Sequence, residues 1–258
     1  MASFSGHVAL VTGAASGIGE ATARLLAAQG AAVYGADLET TETAPTEQAS
    51  SSRPRTTRLQ LDVRKEEDWE GAVSTVLREQ GCLDILVHAA GISAATAVVD
   101  TTLPEWRRVL ATNLDGSFLA IKHGIRAMGN DGGAIVVVGS ASGIRPSAGA
   151  AAYSTSKTAV SMLVRTAAKE CLEAELPIRI NVVSPAGVRT PMWRTMSFFQ
   201  DLIREHGSED AAFAVLEAQG GGRFAEPEEI AQSVLFLVSD AASHITGVEL
   251  PVDAGYTL

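Results

Sequence analysis

Short apolar runs alternate along this chain with longer stretches of helical period. The first run, His7-Val8-Ala9-Leu10-Val11, reads as a strand. Residues 21–29 then carry an apolar face at helical spacing and stop at Gly30, a residue suited to the left-handed conformation that closes helices. Residues 31–36 read as the next buried strand, and 83–87, 134–138 and 178–183 are further apolar runs of strand length. Residues 152–174 read as a helix. Val160, Met162, Leu163, Ala167 and Ala168 spread apolar side chains over more than one of its faces, as in a helix buried on both sides. Strand–helix alternation implies an α/β protein with a parallel sheet covered by helices on both faces. Ligands of such sheets bind at the carboxyl ends of the strands, where Gly13, Asp37, Gly91, Ser140 and Pro185 all fall.

One stretch breaks the alternation. Residues 39–58 are rich in Thr, Ser and Pro with almost no apolar side chains, so a mobile surface excursion is expected there. Elsewhere 258 residues with 46% hydrophobic content suffice for one domain with a large core, spanning 1–258. There is no short-period repeat and no linker to a second domain. The net charge of −10 argues against nucleic acid or an anionic membrane as partner and leaves a small-molecule substrate. Cys82 and Cys171 have no metal-ligand spacing, so no metal is expected, and two such cysteines suit a reducing compartment. Six residues before the first run leave no room for a signal peptide, and no run is long enough to cross a bilayer. A cytoplasmic location is the expectation.

Three local patterns carry chemistry. Thr12-Gly13-Ala14-Ala15-Ser16-Gly17-Ile18-Gly19 joins the first strand to the first helix, an arrangement that cradles phosphate on bare backbone at a helix N-terminus. Its spacing is GxxxGxG rather than GxGxxG, and a tight turn alone would also use such glycines. Asp37 closes the second strand, followed by Leu38. A carboxylate there can accept both hydroxyls of an adenosine ribose and repels a 2′-phosphate, which favours NAD over NADP. Tyr153 and Lys157 are four residues apart, on one face if 152–174 is helical, and follow Ser140. A free phenol, with a pKa of roughly 10, is a poor base at neutral pH. An adjacent ammonium lowers that value by roughly 1–3 and suits the phenol to proton transfer with an alcohol. The YxxxK spacing also recurs by chance in helices.

Together these patterns resemble the short-chain dehydrogenase/reductase family in its single-domain form, over nearly the whole chain and in the family's order. The resemblance implies a doubly wound Rossmann-type domain with a parallel sheet of about seven strands. It implies cofactor binding by Gly13, Ser16, Gly17, Ile18, Gly19, Asp37, Leu38, Asp62, Val63, Ala89, Ala90 and Gly91. Tyr153, Lys157, Pro185, Gly187, Val188 and Thr190 would serve the nicotinamide end. Asn113, Ser140, Tyr153 and Lys157 fall on the family's catalytic positions, with Tyr153 as general base or acid. Residues 191–224 correspond to its substrate lid. Ser142, Ile144, Met192, Trp193 and Met196 are the expected substrate contacts, and the lid's aromatic side chains either face an apolar substrate or pack the lid itself. The segment 178–192 is similar to that of members acting on hydroxysteroids and cyclic or secondary alcohols. Family members assemble through helices matching 104–128 and 152–174, so a homotetramer is expected. Two departures stand out: His88 where the family usually has Asn, and Ala186 where it usually has Gly. An NADPH-dependent carbonyl reductase, or a dehydratase or epimerase using bound NAD, remains an alternative on the same scaffold.

Overall fold

The computed structural model describes residues 3–38 and 56–258. Seven parallel strands form one sheet: β1 (Val8–Thr12), β2 (Ala32–Asp37), β3 (Thr56–Gln60), β4 (Ile85–His88), β5 (Gly133–Val138), β6 (Ile178–Pro185) and β7 (Glu249–Val252). Their order in space is β3-β2-β1-β4-β5-β6-β7, so the direction of winding reverses between β1 and β4. At that reversal Thr12 lies opposite His88, the place in such sheets where ligands bind beyond the strand ends.

Alternate side chains of the central strands feed two cores. On one face Leu10, Leu86, Ile135 and Val137 pack under α2 (Glu66–Gln80), α4 (Gly116–Met128) and α5 (Ala151–Glu173), with Trp69, Leu119, Val160 and Val164 as their principal contacts. On the other, Val11, Ile85, Val87 and Val136 meet Leu26 of α1 (Gly17–Ala28) and Ile230 and Val234 of α8 (Pro227–Val238). Each large side chain so buried contributes about 1.5–3 kcal/mol, and strands buried on both faces account for the continuous apolar runs in the sequence.

Three elements differ from the sequence reading. Residues 39–55 lie outside the described residues, so the expected excursion is described only at its end. There Thr56, Thr57 and Arg58 are not excursion but the start of β3, an edge strand that among the described residues pairs only with β2. An edge strand needs little burial, and β-branched threonines supply the extended preference that apolar content does not. Residues 104–128 are not one regular helix. The segment begins as α3 (Leu103–Leu110), capped by Thr102, and widens into a π turn over Ala111–Asp115 before α4. Met162 on α5 is exposed, whereas Val160, Ala167 and Ala168 are buried. The lid contains α6 (Ser197–His206) and α7 (Glu209–Leu216), and no helix among the described residues is long and apolar enough to cross a membrane.

Candidate active site

The turn from β1 into α1 is held open by its glycines. Gly13 and Gly17 have φ of 68° and 56°, a region that L side chains enter only with strain. A Cβ on Gly13 would stand 2.8 Å from the Ala90 nitrogen, and one on Gly17 3.0 Å from Thr190 Cγ2. One on Gly19 would overlap the Gly13 carbonyl oxygen. The result is a cradle of backbone at a helix N-terminus. Ser16, at the N-cap, is exposed and makes no side-chain capping bond, and Ile18 is half-buried. Such a cradle fits the pyrophosphate of a dinucleotide.

Asp37 lies on the rim of the cradle. Its Oδ2 accepts from the Ala15 N–H at 3.0 Å and its Oδ1 from the Leu38 N–H at 2.8 Å, while the Leu38 side chain is exposed. Asp62 is nearly buried, and both its oxygens take bonds from Arg64, at 2.8 Å from Nε and 2.6 Å from Nη2. That guanidinium holds the Asp62 carboxyl below the usual carboxylate range. The Val63 carbonyl accepts from the Trp69 indole at 3.0 Å, which fixes the turn after Asp62.

At the sheet's switch point the Thr12 hydroxyl bridges two strands. It lies 2.9 Å from His88 Nδ1 and accepts from the Ala90 N–H at 3.4 Å. Ala89 donates to the Thr12 carbonyl, so the segment 89–91 is tied to the cradle. His88 is buried with Nε2 unpartnered, and burial, reinforced by the Lys157 charge, lowers its pKa to about 3. The ring is therefore neutral at ordinary pH.

Gly91 links the two halves of the crevice. A Cβ there would lie 3.4 Å from Asn113 Oδ1 and 3.6 Å from Lys157 Nζ. Asn113 sits in the π turn, a distortion frequent at functional sites. Its side chain accepts from the Ile92 N–H at 2.9 Å and donates to the Ile92 carbonyl at 2.9 Å and to Ser156 Oγ at 3.0 Å. Ser156, hidden between Tyr153 and Lys157 in the sequence, is a residue that motif reading missed, since nothing in its spacing distinguishes it from Ser154. The backbone carbonyl of Asn113 accepts from Ser117.

Tyr153 and Lys157 share one face of α5, with the ammonium 5.7 Å from the phenol ring centre. Burial pushes the Tyr153 phenol above its ordinary pKa, and the Ser140 hydroxyl works in the opposite direction. Lys157 is buried, donates to the Val138 carbonyl at 2.8 Å, and burial lowers its pKa to about 8. The Lys157 ammonium thus lies within range of the phenol, as its spacing predicts, while its hydrogen bond goes to backbone. Ser140 follows β5 and accepts from the Ser142 N–H at 3.1 Å.

The opposite wall starts where β6 ends at Pro185. Ala186 donates to the Val252 carbonyl, and Gly187 is required because a Cβ would lie 2.7 Å from the Phe224 ring. Val188 is buried, and its carbonyl accepts from the Trp193 indole at 2.8 Å. Trp193 lies at the centre of the lid's own core, with ring centres 5.1 Å from Phe224 and 5.8 Å from Phe199. Met192 and Met196 are half-buried beside it, and Ser142 and Ile144 line the loop across the crevice, Ile144 exposed. Of two cations near the crevice, Arg194 is bound by both oxygens of Glu209. Arg145 donates to the Tyr256 carbonyl and lies over its ring.

A family model described as enoyl-(acyl carrier protein) reductase matches residues 13–257. The chain is 39% identical over 254 residues to the cyclopentanol dehydrogenase of Comamonas sp. (strain NCIMB 9872), covering 97% of this chain and 96% of that relative. It is 37% identical over 248 residues to the 3-beta-hydroxysteroid dehydrogenase of Comamonas testosteroni, covering 96% and 94%. Among solved structures, the crystal structure of gox2181 superposes with a TM-score of 0.83 at 34% identity, over 99% of this chain and 97% of that one.

Proposed function

The chain belongs to the short-chain dehydrogenase/reductase family, and from that premise we propose that it interconverts a secondary alcohol and a ketone on an apolar, cyclic or steroid-like substrate, with NAD as cofactor. As a member it is an oxidoreductase acting on CH–OH donors with a nicotinamide cofactor. The observation that carries the finer reading is the cluster in which the Ser140 hydroxyl meets the Tyr153 phenol and the Lys157 ammonium lies 5.7 Å from the phenol ring centre and beside Gly91.

Bound nicotinamide would supply the hydride chemistry. Tyr153 takes the hydroxyl proton of the alcohol during oxidation and returns it during reduction. Ser140 donates to the substrate oxygen as its charge changes, a role in which a preorganised donor contributes roughly 3 kcal/mol. Lys157 has its ammonium near Gly91, within reach of a ribose lying on that residue, and stabilises the phenolate when it swings from Val138 toward Tyr153. Asn113 fixes Ile92 and Ser156 around that ammonium and connects it with solvent. Thr190, packed on Gly17, holds the carboxamide end. The Asp37 carboxylate repels a 2′-phosphate, which supports NAD over NADP.

Substrate class rests on the relatives named for cyclopentanol and a hydroxysteroid, since the lid's aromatic side chains pack its own core. We read residues 1–258 as one domain, the assembly as a homotetramer and the location as cytoplasmic. Exposed Phe118 on α4 and Met162 and Leu172 on α5 supply apolar surface for assembly. Oxidation of cyclic alcohols with NAD⁺ by the unaltered chain, compared with Tyr153→Phe, tests the reading.

A further inference from the structure

The lid leaves and rejoins the body on a short parallel bridge between Val188 and Ala225. Arg189 donates through its backbone to the Ala225 carbonyl at 2.9 Å, and Ala225 donates to the Gly187 carbonyl at 2.8 Å. From that stem the Arg189 side chain gathers three carboxylates. Nη1 lies 3.0 Å from Asp210 in the first turn of α7, Nη2 3.3 Å from Glu217 at the end of α7, and Nε 3.6 Å from Glu226 across the stem. The guanidinium also stands 4.8 Å from the centre of the Phe213 ring, within the aromatic core of the lid. Glu217 is shared, because its Oε1 accepts from the Phe224 N–H at 2.9 Å. With only a quarter of its side chain exposed, Arg189 is a partly desolvated cation whose loss strands the equally sheltered Glu217, while Asp210 and Glu226 are solvent-exposed and add little. The next residue is Thr190, packed on Gly17 of the cofactor cradle.

We propose that Arg189 is a positioning residue that clamps the lid over the substrate and ties its closure to the strand end that carries Thr190. Its kinetic consequences rest on the dehydrogenase reading; its mechanical consequence does not. In Arg189→Met, KM for a cyclic alcohol rises about tenfold or more while kcat and the NADH dissociation constant stay within about threefold. Arg189→Lys restores part of the loss. So does the double variant Arg189→Met/Glu217→Gln, since it removes one stranded charge and keeps the acceptor for Phe224. A role in packing alone would give no such recovery. The arm independent of turnover is limited proteolysis within residues 191–224 under saturating NADH, which should run about tenfold faster in Arg189→Met than in the unaltered chain. If Arg189→Met does not fold, Glu217→Gln alone gives the same changes at smaller size. Unchanged KM, or equal lid proteolysis in a folded variant, overturns the clamp. Absence of any alcohol oxidation by the unaltered chain overturns the dehydrogenase reading instead, and the proteolysis still decides the clamp.

Discussion

Lys157 donates to the Val138 carbonyl at 2.8 Å from a buried position, and no carboxylate pairs with it among the described residues. Its pKa in the folded protein is about 8 against an ordinary 10.5, so the folded state binds its proton more weakly than the unfolded chain does. Its contribution to stability is fully favourable only above pH 10.5 and is lost as pH falls to about 8. At neutral pH the folded protein bears that cost in full, about 3 kcal/mol.

A residue retained at such a cost implies a function, and Lys157→Met separates the two effects. The variant should melt at the same temperature as the unaltered chain or higher, because an apolar side chain of similar length replaces a poorly compensated charge. Its alcohol oxidation should fall by about 100-fold or more. Thermal denaturation at pH 7 together with steady-state rates checks both; a destabilised but active variant would contradict the assignment.

His88 predicts a pH dependence of stability. Its folded pKa is about 3 against 6.5 unfolded, so between those values the unfolded state binds the extra proton. Stability from this site is full above pH 6.5 and falls with acidification at about 1.4 kcal/mol per pH unit until about pH 3. His88→Asn keeps a partner for Thr12 and carries no titrating group. Denaturant titrations from pH 7 to pH 4 should show the gap between variant and unaltered chain widening in favour of the variant. Parallel curves would refute a buried neutral imidazole.

Asp37 predicts cofactor choice. Asp37→Ser removes the carboxylate that accepts from Ala15 and, in the proposed function, would face the adenosine ribose. KM for NAD⁺ should rise about tenfold or more, and the preference for NAD⁺ over NADP⁺ should shrink by at least a similar factor, because the repelling charge has gone. Ratios of kcat/KM for the two cofactors measure it. An unchanged ratio would mean that selection is made elsewhere on the crevice.

Much of this architecture is legible in the sequence for a physical reason. A parallel sheet buried on both faces writes its strands as continuous apolar runs, and the glycines of the cradle are dictated by contacts no other residue can make. The i, i+4 spacing of Tyr153 and Lys157 likewise survives any detail of packing. Thr56–Gln60 was obscured because an edge strand is specified by its neighbour β2 more than by its own composition. The π turn at Asn113 leaves no mark on hydrophobic period, and Ser156 and Arg189 act through partners 43 and 21–37 residues away, beyond the reach of a local motif. The direction of the Lys157 ammonium was illegible for another reason: side-chain spacing brings groups within range but does not choose between a phenol and a backbone carbonyl.

The most direct test of the central claim follows formation of reduced nicotinamide by absorbance, with NAD⁺ and then NADP⁺, over a panel of cyclopentanol, cyclohexanol and hydroxysteroids, for the unaltered chain and for Tyr153→Phe. Oxidation of at least one cyclic alcohol with NAD⁺ preferred is expected, with loss of about 100-fold or more in Tyr153→Phe and NADH binding preserved. Turnover undiminished in a folded Tyr153→Phe, or no reaction with either cofactor in a protein that binds NADH, would contradict it.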